Sequence, residues 1–220
     1  MGPVESRVAH IMFSGREGAF FHPDAKLRTA AAVKSIEAQT AAEIVVAVRR
    51  HSGNYRASDY HAGFVAMGIL VAYMLVSPTI FTLGTIALEG VCAFVIGALL
   101  SAKVGLLRRV VVRNKTLWRN VLRAGHASFY ELGISNTSGR NGILVFVSTF
   151  ERACTVVPDI GIRVDQLGAD YASTLAAIER AARAMDLDAF LSALERLGPV
   201  LGRAMPRRDD DVNELPDEVQ

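Results

Sequence analysis

The chain has 220 residues, 51% of them hydrophobic, and a mean hydropathy of +0.28. Its 24 basic and 22 acidic residues leave a net charge of +2, which gives no global field for nucleic acid, so no nucleic-acid partner is expected. The two cysteines, Cys92 and Cys154, have no metal-ligand spacing and do not amount to a disulfide scaffold.

The opening residues, Met1-Gly2-Pro3-Val4-Glu5, show no basic stretch followed by an apolar core, so no cleavable leader is expected. Phe20, Phe21 and His22 precede Pro23 and Asp24, which suit the first turn of a helix. That helix is expected to run to about Gln39, with Leu27, Ala30, Ala31, Val33 and Ile36 on its apolar face. Residues 43–48, rich in β-branched side chains and almost continuously apolar, read as a strand covered on both faces.

From Ala62 to Ala102 the chain is apolar, with one ionisable residue, Glu89, and one break at Ser77-Pro78-Thr79. Each half is long enough, at 1.5 Å per residue, to cross a bilayer core of roughly 30 Å. The run reads as a transmembrane helical hairpin. Two buried core helices are the competing reading, and soluble cores rarely use two consecutive helices that are apolar all round. Arg49, Arg50 and Arg56 stand before the run, and Lys103, Arg108, Arg109, Arg113, Lys115 and Arg119 after it; the central turn has no Lys or Arg. Positive residues favour the cytoplasmic side, so both flanks, both termini and the soluble part are expected in the cytoplasm, beneath a bacterial inner membrane. Lys103, Arg108, Arg109 and Arg113 form a basic amphipathic stretch expected to meet anionic lipid headgroups, with Trp118 at a similar depth.

Residues 116–132 are patterned as a helix that Gly133 ends. Residues 142–148 and 153–157 read as a strand pair joined by Thr149-Phe150-Glu151-Arg152, the first strand being central. Asp159-Ile160-Gly161-Ile162 forms a tight loop. Two helices follow, with stripes Tyr171, Leu175, Ile178, Ala182, Met185 and Leu187, Phe190, Leu194, Leu197, Leu201. The tail beyond Pro206 is polar and expected to be loose.

Taken together, Thr40 to Val46, Arg140 to Phe146, the Glu151-Arg152 turn, the Asp159 to Ile162 loop and the closing Asn213-Glu214-Leu215-Pro216-Asp217 resemble the TPM domain family, named for thylakoid-lumen phosphatase-like proteins. Placing an apolar hairpin after the first strand resembles a bacterial subgroup of uncharacterised membrane proteins. The resemblance implies an α/β fold: a TPM-like sandwich of a small mixed β-sheet flanked by helices, with the two-helix transmembrane hairpin inserted after the first strand. The expected domains are residues 20–60 and 103–204 for the TPM-like part, 61–102 for the hairpin and 205–220 for the polar tail. Among relatives in that family the resemblance implies phosphatases, calcium binders and accessory factors of membrane complexes.

Two candidate sites follow. A carboxylate at bilayer depth costs several kcal/mol unless it is neutral or paired, so Glu89 is expected to contact a partner helix, or else to bond Ser77, Thr82 or Thr85. Small residues Gly68, Ala72, Ala93 and Gly97 are spaced for close helix packing. The second site collects Glu43, Arg140, Asn141, Asp159, Arg163 and Asp165. The two arginines suit an anion, and Asp159 with Asp165 suits calcium; the competing reading has Asp159 organising a turn, Asp165 capping a helix and Arg140 in an ion pair. His10, His22, His51, His61 and His126 have no ligand-pair spacing. No catalytic residue and no resident metal or cofactor is expected, calcium being the cation left open. The expected function is non-enzymatic: a cytoplasmic domain held at a membrane that binds or assembles a membrane protein or a second copy of itself. The alternatives are a membrane-tethered, metal-dependent phosphatase and a proton-linked transport component using Glu89.

Overall fold

The structure is a computed structural model and describes residues 16–207, 214 and 215. The opening segment with His10, and Arg208, Asn213, Pro216 and Asp217 of the tail, lie outside the described residues. The chain divides into two units, one of residues 1–52 and 120–220 and one of residues 53–119.

The first unit is built on a three-stranded mixed sheet in the order β1-β2-β3. Strand β1 (Glu43–Arg49) runs parallel to β2 (Gly142–Ser148), from Glu43 opposite Gly142 to Arg49 opposite Ser148. Strand β3 (Ala153–Pro158) runs antiparallel to β2 on its other side. All seven residues of β2 are buried, as its uninterrupted apolar run implies for a strand with neighbours on both edges and layers on both faces. Pro158, which has no N–H to give a ladder, ends an edge strand, where that loss is tolerated.

Strand alternation sorts the core into two layers. Ile44, Val46, Ile143, Val145, Val147 and Cys154 face one layer, which also holds Val33, Ile36, Tyr171, Ile178, Phe190, Leu194 and Leu201. Those residues come from α1 (Pro23–Glu37), α6 (Gly168–Ala184), α7 (Leu187–Glu195) and α8 (Leu197–Ala204). Val45, Ala47, Leu144, Phe146 and Val157 face the other layer, against Val121, Phe129 and Ile134. Val121 and Phe129 belong to α5 (Asn114–Glu131), and Gly133, at φ 67°, ends that helix as its sequence implies.

Two details depart from the periodicity reading. In α1 the buried stripe is Ala25, Thr29, Ala32, Val33 and Ile36, and Leu27 is 73% exposed. Leu27 lies off that stripe because the close approach to the sheet is made on the small-residue side. The stretch expected as one helix from Leu187 to Leu201 is two, α7 and α8, meeting at Arg196. Pro199 has no N–H to return to the carbonyl one turn back, so the ladder is interrupted there.

The second unit contains α2 (Arg56–Val76), α3 (Leu83–Lys103) and α4 (Gly105–Val111). Helices α2 and α3 pack along one another. A side-chain carbon at Gly97 would stand 2.6 Å from Ala66 Cβ, and one at Gly63 would stand 2.7 Å from the Phe94 carbonyl oxygen, so both helices need glycine at the crossing. Gly68, expected at a close contact, has nothing within 4 Å of an added side-chain carbon among the described residues, and Ala72 is exposed. The crossing is set one and a half turns nearer the start of α2. In the connecting turn Ser77 Oγ and Thr79 Oγ1 are 2.7 Å apart, and Thr82 Oγ1 accepts from Thr85 N at 3.3 Å, capping α3.

Candidate functional site

At one end of the sheet the start of β1, the start of β2 and the end of β3 bring four of the six expected residues together. Asp159 is buried, and its carboxylate faces the Arg140 guanidinium: Nη2 donates to Oδ1 at 2.9 Å, and Nε lies 2.8 Å from Oδ2. Asp159 Oδ1 also accepts from Ile160 N at 2.7 Å, which fixes the turn. Arg140 has φ 50°, a left-handed conformation that costs a non-glycine residue of order 1 kcal/mol. Gly161 holds it there. Its N–H donates to the Arg140 carbonyl at 2.8 Å, and a Cβ at Gly161 would stand 2.5 Å from that same oxygen. Asn141 Nδ2 donates to the Ala41 carbonyl, and its buried Oδ1 has no hydrogen-bond partner among the described residues.

Glu43 is buried at the start of β1, and its Oε2 accepts from Leu215 N at 3.3 Å. Next to it, Glu214 accepts from Ser138 N at 2.9 Å and from Ser138 Oγ at 2.6 Å, and these bonds hold the Glu214 carboxyl below its ordinary range. Leu215 packs on the layer of Leu144 and Phe146. The tail, expected to be loose, is therefore docked at these two residues, beside the sheet-end cluster. The cause is two backbone N–H groups, of Ser138 and Leu215, that find carboxylates across a long sequence separation.

Arg163 and Asp165 do not join the cluster. Both are exposed in the turn before α6, and neither makes a hydrogen bond or ion pair through its side chain among the described residues. Asp165 caps no helix: α6 begins without a side-chain cap. The donor set does not fit a calcium ion, because the one buried aspartate already faces a guanidinium, whose positive charge stands where the cation would be. Among the described residues no three of His, Cys, Asp and Glu come together as a metal site.

At the opposite end of the sheet lies a cluster that sequence reading treated only as a turn. Ser148 Oγ donates to Glu151 Oε2, Ser52 N donates to Glu151 Oε1 at 2.8 Å, and Ser52 Oγ donates to Ser148 Oγ at 2.7 Å. Ser148 and Glu151 are buried, so the network satisfies a carboxylate that would otherwise be costly. It ties the β2–β3 turn to the segment leaving β1. A serine closing an apolar strand, with an acid three residues on, was the available signal.

One of the four basic residues expected at lipid headgroups is paired within the second unit. The Arg108 Nε donates to Asp59 Oδ1 at 3.0 Å and its Nη2 to Asp59 Oδ2 at 2.6 Å. Ser101 Oγ donates to Asp59 Oδ1 at 2.9 Å. The two charged side chains are 18% and 11% exposed. The fork geometry of a guanidinium matches a carboxylate, and the first turn of α2 brings Asp59 to that fork. Lys103 and Arg113 stay exposed, and Arg109 is half-buried. Asp59, three residues before the apolar run, was the missed partner. Glu89 is exposed on α3 and bonds none of Ser77, Thr82 and Thr85.

No protein-family model matches the chain, and no curated protein matches it. Its fold is similar to the NMR structure of BA42 protein from the psychrophilic bacterium Bizionia argentinensis, with 16% identity, a TM-score of 0.52, and coverage of 90% of this chain and 92% of that one. That likeness concerns the fold alone.

Proposed function

We propose that the protein is an integral membrane protein whose helices α2 and α3 span a bilayer as a hairpin, inserted after the first strand of a TPM-like domain. The observation that carries this is the surface of the two helices. Each has 21 residues, with mean hydropathy of 1.5 and 2.1 over its most apolar window, and only 17% and 6% of those windows is buried. Core helices of a soluble protein would be covered; here Phe64, Val65, Ile69, Val91 and Ile96 are all more than half exposed. Apolar surface of that extent in water is a liability, and in hydrocarbon it costs nothing.

The basic residues at both ends of the hairpin, with none in the turn, support a cytoplasmic placement of both flanks beneath a bacterial inner membrane. Lys103 and Arg113 supply charge for anionic headgroups. Asp59 and Arg108 lock the start of α2 to the stretch leaving α3, so the hairpin ends are held at fixed geometry. A domain anchored in mid-sequence by such a hairpin suits assembly at the membrane, binding another membrane protein or a second copy. No chemical step is assigned to it.

The test is recovery of the full chain from alkali-washed membranes, followed by tagged pull-down from a detergent extract. Retention in the membrane with a stoichiometric partner or self-complex supports the reading. Release into the alkaline supernatant overturns it.

A further inference from the structure

Helix α3 has two faces. One meets α2: Gly97 stands against Ala66, Phe94 lies edge-to-face with Phe64 at 5.0 Å between ring centres, and Ser101 bonds Asp59. Nearly opposite lies a second line, Thr85, Glu89, Cys92, Ile96, Leu99 and Lys103, spaced 4-3-4-3-4, with every member exposed. That alternation is the seam spacing of left-handed helix pairs.

Glu89 decides what covers this seam. It stands six residues beyond Leu83, about 9 Å along the axis, inside the apolar zone of a span of roughly 30 Å. Within the hairpin it has no hydrogen bond or ion pair among the described residues, and Leu88 and Val91 beside it are exposed hydrophobics. A polar group at that depth needs a partner at the same depth. A second copy inserted with the same topology supplies one automatically, because its Glu89 lies at an identical level. A carboxyl group offers both a donor and an acceptor, so it is complementary to itself across a twofold axis.

We propose that α3 pairs in parallel with α3 of a second copy along the line Thr85, Glu89, Cys92, Ile96 and Leu99, with the two Glu89 carboxyls hydrogen-bonded to each other. The pairing rests on the bilayer-spanning reading and names the partner that reading leaves open. It is self-contained within one helix, and one thiol of the seam, Cys92, reports on it. The other cysteine, Cys154, is buried in the sheet.

The experiment uses the full chain in its membranes, treated with copper–phenanthroline and run without reductant. The expected result is a dimer band that Cys92→Ser abolishes, that Glu89→Gln retains because an amide also donates and accepts, and that Glu89→Leu loses. In a Cys92→Ser background, Leu75→Cys on the exposed face of α2 is expected to give no band, which separates pairing from random collision. The proposal is overturned if the chain stays in alkali-washed membranes yet shows no Cys92 cross-link. It is equally overturned if Glu89→Leu cross-links as well as the parent, or if the product has the mass of a different partner. Loss of the chain from washed membranes overturns the spanning reading, and the pairing with it.

Discussion

Removing the charge of Asp59 loosens the tie between α2 and α4 by an amount the geometry sets. Arg108 grips Asp59 with two charge-assisted bonds, at 2.6 and 3.0 Å, and Ser101 adds a third at 2.9 Å. At an effective dielectric near 20, opposite charges about 4 Å apart attract by about 4 kcal/mol, and desolvation of two mostly covered side chains takes back part of it. We expect Asp59→Asn, which keeps the volume and the Ser101 contact, to destabilise the helix pair by about 2 kcal/mol, with a similar cost for Arg108→Gln. The double variant should then fall short of the sum by roughly 1.5 kcal/mol, since the second change removes a group already without its partner. The assay is equilibrium unfolding of the detergent-solubilised chain in a denaturing-detergent titration, read by a fluorophore pair on α2 and α3. A shift of about 2 kcal/mol is some thirtyfold in the open population. Additivity within about 0.5 kcal/mol would refute the reasoning and return Arg108 to the surface.

Three further outcomes follow from the first unit. Phe146 is fully buried on the central strand, so Phe146→Ala should cost about 3–5 kcal/mol, seen as a lowered chemical-denaturation midpoint; a change under about 1 kcal/mol would contradict the two-layer core. The Glu214 carboxyl is held below its ordinary range by Ser138, so docking of the tail should persist above the ordinary carboxylate pKa and be lost only as pH falls through the depressed folded value. The Ser138 amide resonance should report that midpoint, and a transition at or above the ordinary carboxylate value would rule the contact out. Burial pushes the Cys154 thiol well above the ordinary thiol range, so in Cys92→Ser protein a maleimide should reach it only as the first unit unfolds. Rapid complete labelling under native conditions would contradict its place in the sheet.

Much of the sheet could be read from sequence, because β1 and β2 are short, nearly continuous apolar runs bounded by polar or turn-forming residues. Residues 142–148 are buried at all seven positions, and the stop at Gly133 follows from a left-handed residue that only glycine adopts freely. Length and hydropathy likewise made α2 and α3 visible. What stayed hidden depends on meetings between distant residues. Asp59 and Arg108 are separated by 49 positions, and in sequence Arg108 looks no different from Arg109 or Arg113. The docked tail is equally invisible, since Glu214 and Ser138 are 76 residues apart. At the sheet-end cluster, Glu43, Arg140, Asn141 and Asp159 lie on strand termini that the fold brings side by side. Arg163 and Asp165 sit further along a turn that leaves the sheet, so proximity in sequence misled there.

The account rests on lipid surrounding α2 and α3, and residue 80 in the turn between them tests it most directly, being 99% exposed. In a Cys92→Ser background, Ile80→Cys is to be treated in intact cells with a membrane-impermeant maleimide, beside Ser138→Cys in the first unit. We predict that Ile80→Cys labels from outside the inner membrane, while Ser138→Cys labels only after lysis. Equal protection of both until lysis, with the chain recovered in the soluble fraction, would contradict the central claim.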